Sequence, residues 1–190
     1  MRVSYLCFLD KLGSKVPFTA CEVGVGHGIN AFEMLDKTPT LKKLYLVDNF
    51  SPNNPHFSKP DGSPFTQEEA DAFATMLKWN LKSYGDRAEF IHKSSVEGSR
   101  DFPDECLDYV YIDATHTYEN VMEDLTAWYP KVKKFGMLAG HDSTHFGVLN
   151  AVVRFSSIRR LNHFYVIALP YQLYPVSIQR YVDWWIIKLK

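Results

Sequence analysis

Apolar positions recur along this chain in two rhythms, one near 3.6 residues and one near two. Tyr5, Leu6, Phe8, Leu9 and Leu12 have helical spacing, and Gly13 stops it. Phe18–Val23 is a short apolar run that predicts a first strand, and it leads into a turn with three glycines in five positions. Residues 30–35 return to helical spacing, with Phe32 and Leu35 on one face, and Leu41–Val47 predicts a second strand ending in Asp48. Strand, turn, helix, strand at this spacing is a parallel βαβ unit. Thr66-Gln67-Glu68-Glu69 is a capping-box sequence, so a helix should run from there to about residue 82. Ala88–Ile91 reads as a third strand before Ser94 and Ser95, and Leu107–Ile112 as a fourth that ends in Asp113-Ala114-Thr115-His116. A helix over Tyr118–Trp128 should bury Val121, Leu125 and Trp128, and residues 130–135 read as a turn into a fifth strand at 136–140. That strand delivers His141-Asp142-Ser143 to a helix from about 147 to 158. Two closing strands are predicted at 163–169 and 181–189, separated by the turn-rich stretch 170–175. The predicted architecture is one α/β domain over 1–190, a doubly wound, mostly parallel seven-stranded sheet with helices on both faces.

Composition narrows this picture little and excludes several classes. The net charge of −1, with scattered Lys and Arg, gives no electrostatic footprint for nucleic acid. Three widely spaced cysteines lack zinc or disulfide spacing, so free thiols in a reducing compartment are expected. No leader pattern is visible, and the apolar run 184–189 is far too short to span a bilayer. These features predict a cytoplasmic protein without membrane partners. Residues 51–64, with four prolines, form a loop after the second strand, where a substrate-side lid is expected.

The candidate chemistry gathers at strand ends. In a parallel sheet, Asp48, Asp113, Asp142 and the glycine turn share the C-terminal edge, where open α/β sheets bind ligands. A single such Asp would be read as a helix N-cap; three, with two histidines adjoining them, point to a site. The turn Glu22-Val23-Gly24-Val25-Gly26-His27-Gly28 has the spacing G-x-G-x-G. A dinucleotide fingerprint would want its third glycine at Ile29. Asp48 is placed to take the two hydroxyls of a ribose.

This turn, Asp48 and the Ile112-Asp113-Ala114-Thr115-His116 strand end together resemble class I S-adenosylmethionine-dependent methyltransferases, which have a Rossmann-like fold. The resemblance runs from about residue 18 to 188. It lies nearest the small branch with a strand-end Asp-x-x-His and a later His-Asp, similar to metal-dependent sugar O-methyltransferases. It implies that Gly24, Gly26 and Gly28 pass under the methionine and ribose of the cofactor. Glu22 would hold the loop and the amino-acid end, and Asp48 would bind the ribose. Asn49 and Phe50 would flank the adenine, with Ser94 or Ser95 at its polar edge and core packing as the other role for Phe50. His116 is the expected base, with Asp113 beside it and His141 as its rival. Asp113 and Asp142 would share magnesium, although the family's usual pair of adjacent oxygen ligands is replaced here by His141-Asp142-Ser143.

The expected activity is O-methylation of a sugar, glycan or small polar metabolite. The Asn/Asp-Pro-Pro-aromatic strand end of enzymes that methylate DNA amino groups is missing at 113–116. The competing readings are a nicotinamide-dependent oxidoreductase, opposed by Ile29, and a non-catalytic binding domain of the same fold. Acceptor choice is expected to lie in 51–64 and 171–179. Oligomeric state is not legible, and a homodimer is compatible with the reading.

Overall fold

A computed structural model describes residues 1–13, 15–52, 59, 61–161, 164–166 and 183–189. Helix α1 (Val3–Leu12) precedes strand β1 (Phe18–Val23), which feeds the glycine turn and α2 (Ile29–Lys37). Next come β2 (Leu41–Val47), α3 (Gln67–Leu81), β3 (Ala88–Ile91), α4 (Ser95–Ser99), β4 (Leu107–Ile112) and α5 (Tyr118–Trp128). The chain continues through β5 (Val132–Gly140), α6 (Phe146–Ile158), β6 (Phe164–Val166) and β7 (Trp184–Ile187). Among the described residues the strands form one seven-stranded sheet in the order β3-β2-β1-β4-β5-β7-β6. The pairs from β3 to β5 are parallel, and β7 runs antiparallel to both β5 and β6.

The period-two alternation of the strands builds two cores. Ala20, Leu44, Leu46, Tyr109, Tyr111 and Ala139 face Tyr5 and Phe8 of α1, Met34 and Leu35 of α2 and Leu77 of α3. Their neighbours Cys21, Val23, Val47, Val110, Ile112 and Leu138 face Val121, Leu125 and Trp128 of α5 and Val152 and Phe155 of α6. Strands buried on both faces read as continuous apolar runs, which is why β1 and β4 stand out in the sequence. The capping box before α3 is formed: Thr66 accepts from the Glu69 amide, and the Glu69 carboxylate accepts from the Thr66 amide.

One expectation changes, and one element was not predicted. β5 begins at Val132, so 132–135 are strand rather than turn. The charged residues that disguise it lie at the base of the sheet, where Lys133 pairs with Asp108 at 2.9 Å. The five-residue helix α4 is too short to leave a periodic signal. The described parts of the closing strands are Phe164–Val166 and Trp184–Ile187. Residues 53–58 and 60 of the expected lid at 51–64, and the segments 170–175 and 171–179, lie outside the described residues.

The strand order reverses between β1 and β4: the chain leaves β1 toward β2 and β3, then returns on the other side through β4 and β5. A crevice opens above the carboxyl ends of the strands at such a switch point.

Candidate functional site

A cavity of about 730 Å³ occupies this crevice. Its lining includes Gly24 and Gly26 of the turn, Asp48, Asn49 and Phe50 after β2, and Ser94 and Ser95 at α4. Asp113 and His116 after β4 complete one side, with Glu123 and Asp124 of α5 on another. Gly28 is not in the lining; it caps α2 against Phe32.

The glycines serve different ends. At Gly24, φ is +83° and a Cβ would stand 2.2 Å from the Asp113 carbonyl oxygen, so this glycine lets β1 and β4 end side by side. At Gly26, φ is +51° and a Cβ would meet nothing within 4 Å. Bare peptide therefore faces the cavity there, as a ligand lying across the turn requires. Asp48 braces the turn: Oδ2 accepts from the amides of Val25 (2.7 Å) and Gly26 (3.1 Å), and Oδ1 from that of Phe50 (2.7 Å). A carboxylate has about four lone-pair positions, so hydroxyl donors are still accommodated.

Phe50 resolves toward packing, being 2% exposed and set edge-on to Phe90, although it also borders the cavity. Asn49 is exposed, and its side chain accepts from the Ser51 amide. Ser94 donates to Glu97 at 2.6 Å. Ser95 bonds to Asp124 and receives the indole N–H of Trp128 at 2.9 Å.

Glu22 is 2% exposed, with Oε1 accepting from Asn30 at 2.9 Å and Oε2 without a hydrogen-bond partner. Glu22 is absent from the cavity lining, so among the described residues this orphaned oxygen lies buried under the turn and not on the surface a ligand would touch. Burial pushes the Glu22 carboxyl up to about 8, against the smaller opposing effect of Asn30. With the folded value above the ordinary 4.5, the stability Glu22 contributes is fully present below 4.5 and lost as pH rises toward 8. Glu22→Gln should therefore flatten the decline in urea-unfolding stability between pH 5 and 8. Equal declines in both proteins would mean that Glu22 folds ionised.

The polar cluster at the β4 and β5 ends is tighter than the sequence suggests. His116 Nε2 lies 2.8 Å and His141 Nδ1 lies 3.1 Å from the same oxygen, Oδ2 of Asp142. The two histidines, read as rivals, share one acid. Burial pushes the Asp142 carboxyl up, yet the hydrogen bonds from both imidazoles outweigh it and hold the group well below the usual carboxylate range. Burial lowers the His141 value, and its bond to Asp142 with the charge of Asp113 reverses that to a net rise. Burial also raises Asp113, opposed by Arg2 and His141. His116 borders the main cavity; His141 and Asp142 are not in its lining.

Arg2 completes the cluster, donating to Asp113 Oδ2 at 2.9 Å with its guanidinium 5.6 Å from the Tyr111 ring centre. The sequence reading missed it. An arginine at the N-cap of α1 caps nothing and has the wrong sign for a helix N-terminus, and that was the available signal. Asp124 was missed too. It lies three residues after Val121 and four before Trp128, so an acid stands on the buried stripe of α5.

Asp113, His141 and Asp142 offer one ligand atom each, mutually within 4.8 Å, and this is the metal-competent group found among the described residues. Two carboxylates and one imidazole fit a divalent cation, although magnesium prefers a shell of oxygens. No helix among the described residues is long and apolar enough to cross a membrane.

Residues 21–143 match the family described as "Methyltransferase domain". No curated protein matches the sequence. Solved structures share the fold at low identity. The O-methyltransferase NovP is 16% identical with a TM-score of 0.65, over 97% of this chain and 77% of that one. An S-adenosylmethionine-dependent O-methyltransferase from Thermotoga maritima is 17% identical (TM-score 0.61, 98% and 64% coverage). The spermidine synthase of the same organism is 18% identical (TM-score 0.55, 98% and 60% coverage).

Proposed function

The chain belongs to the methyltransferase domain family, and we propose that it transfers the methyl group of S-adenosylmethionine to a hydroxyl oxygen of a sugar, glycan or small polar metabolite. One observation carries this reading: the open peptide of Gly26, the Asp48 carboxylate and the His116 side of the His116–Asp142 pair border a single cavity. At about 730 Å³ it has room for a nucleoside-sized cofactor with a small acceptor beside it.

The chemistry is an in-line displacement at the methyl carbon: an acceptor oxygen attacks as the bond to sulfur breaks, and the hydroxyl proton must leave. Asp142 holds the proton of His116 on Nε2, which makes Nδ1 the basic nitrogen, and its negative charge stabilises the imidazolium that forms. Arg2 keeps Asp113 turned toward the cluster. A divalent cation, if the protein uses one, would be held by Asp113, His141 and Asp142 and would polarise an acceptor hydroxyl. The net charge of −1 favours a small molecule or glycan over nucleic acid, and the free Cys7, Cys21 and Cys106 favour a reducing compartment such as the cytoplasm.

Calorimetry with S-adenosylhomocysteine tests the reading. Micromolar binding is expected, with none for NAD; the reverse preference would point to an oxidoreductase, and no binding of either to a non-catalytic domain. A cation at the cluster would appear as a heat of magnesium or manganese binding that Asp142→Ala abolishes, and as turnover lost in EDTA and restored by the ion. A turnover rate insensitive to EDTA would exclude the cation.

A further inference from the structure

The group formed by Asp113, His141 and Asp142 already holds a cation that belongs to the protein. Arg2 donates from Nη2 to Asp113 Oδ2 at 2.9 Å, with the two side chains 20% and 21% exposed, so water and salt screen the pair only in part. Among the described residues, Arg2 is the one Lys or Arg side chain paired with either acid of the group. A guanidinium keeps its proton in proteins, so this charge is present at every working pH.

Arg2 is also held in place from behind. Its guanidinium lies over the Tyr111 ring, 5.6 Å from the centre. Two residues on, the buried Ser4 gives both its amide and its hydroxyl to Asp183 Oδ2, at 2.9 and 2.8 Å. The other oxygen of Asp183 accepts the Tyr111 hydroxyl at 3.2 Å. One buried acid thus anchors both the start of α1, from which Arg2 projects, and the ring that Arg2 covers. Such an arginine does not swing away at little cost.

A fixed cation changes what the group can bind. Asp113, His141 and Asp142 each offer one atom, all within 4.8 Å of one another. A divalent ion among them must either share Asp113 with the guanidinium or take Asp113 from it. Sharing sets a double positive charge close to a single one in a partly dry setting. Displacement breaks an ion pair and leaves the guanidinium half-buried without its partner. Both weaken the ion. From this geometry we infer that Arg2 sets the divalent-cation affinity of the cluster: it neutralises Asp113 from within and keeps ion binding weak. The inference rests on the three ligands named above for a cation, and it does not depend on the acceptor.

The test is a calorimetric titration of manganese chloride into the protein, with S-adenosylhomocysteine titrated in parallel. Wild-type binding of manganese should be weak, on the order of millimolar. Arg2→Gln removes the charge and should tighten manganese at least ~10-fold. Arg2→Lys keeps the charge and should stay within a few-fold of wild type. Adding Asp113→Asn to Arg2→Gln should abolish the gain, which locates the ion at the cluster. Arg2→Met, whose apolar stem still covers Tyr111, takes the place of Arg2→Gln if that variant is unstable. Unchanged or weaker manganese binding in a folded, charge-free variant would overturn the inference and leave Arg2 as a brace that orients Asp113. Micromolar binding by the wild type would overturn it without any variant. The two titrations fail separately: loss of S-adenosylhomocysteine binding by the wild type would count against the cofactor reading, and the manganese result alone decides the role of Arg2.

Discussion

Replacing His116 with alanine is expected to lower turnover by about 10²- to 10⁴-fold, the usual worth of a positioned general base, and to leave S-adenosylhomocysteine affinity within a few-fold of wild type. The split follows from the geometry. His116 borders the cavity but binds its acid partner Asp142 at 2.8 Å rather than the glycine turn. Added imidazole should restore part of the rate, because the alanine leaves room where the ring stood. Steady-state kinetics with any accepted hydroxyl substrate, beside calorimetry, would show the split. Intact turnover with intact binding would transfer the role to another group, and Asp113 would be next in line since it borders the same cavity. His141→Ala makes a useful contrast. His141 stands outside the main cavity on the same oxygen of Asp142, so its loss should act through the orientation of that acid and cost less.

Gly24→Ala should destabilise the protein by about 2–5 kcal/mol, combining roughly 1–2 for a non-glycine residue in a left-handed conformation with about 1–3 for overpacking. The added Cβ would stand 2.2 Å from the Asp113 carbonyl oxygen, a backbone atom that cannot move without shifting the end of β4. Gly26→Ala separates structure from binding. Its Cβ would enter open space, so only the conformational part should appear in urea unfolding, about 1–2 kcal/mol. Cofactor affinity should suffer more, because the new methyl group occupies the face on which the ligand lies. Denaturation ranks Gly24 as the costlier site, and calorimetry at a temperature where both variants are folded should show Gly26 weakened as well. If Gly26→Ala bound S-adenosylhomocysteine unchanged, the cofactor would not cross the turn at that point.

Much of the frame was legible because its central strands β1 and β4 are buried on both faces and β2 and β3 beside them are still short apolar-rich runs. Phe18–Val23, Leu41–Val47, Ala88–Ile91 and Leu107–Ile112 coincide with the apolar runs that predicted them. The start of β5 was hidden where Lys133, Lys134 and Phe135 are part-exposed or exposed at the base of the sheet and Phe135 has a φ of +65°. The positions of Asp48, Asp113 and His116 along one edge followed from parallel topology alone. Their partners did not. Arg2 and Asp113 are separated by 111 residues, and Ser95 and Asp124 by 29, so neither pair leaves a local pattern. The arrangement in which His116 and His141 converge on one oxygen of Asp142 needs the β4 and β5 ends side by side. Spacing along the chain could only offer them as alternatives.

The placement of β7 between β5 and β6 has a consequence for the order in which this molecule can assemble. Asp183, fully buried at the start of β7, accepts the amide and hydroxyl of Ser4 at 2.9 and 2.8 Å and the Tyr111 hydroxyl at 3.2 Å. The Ser4 contacts join positions 179 residues apart, and Arg2 lies two residues from the joint. A chain emerging from the ribosome can lay down β1 to β4, and with them the glycine turn, long before residue 183 exists. A nascent chain would thus own a cofactor cradle before it owned a finished catalytic edge. Closing so long a loop is entropically slow, which makes docking of α1 against β7 a natural late step in folding.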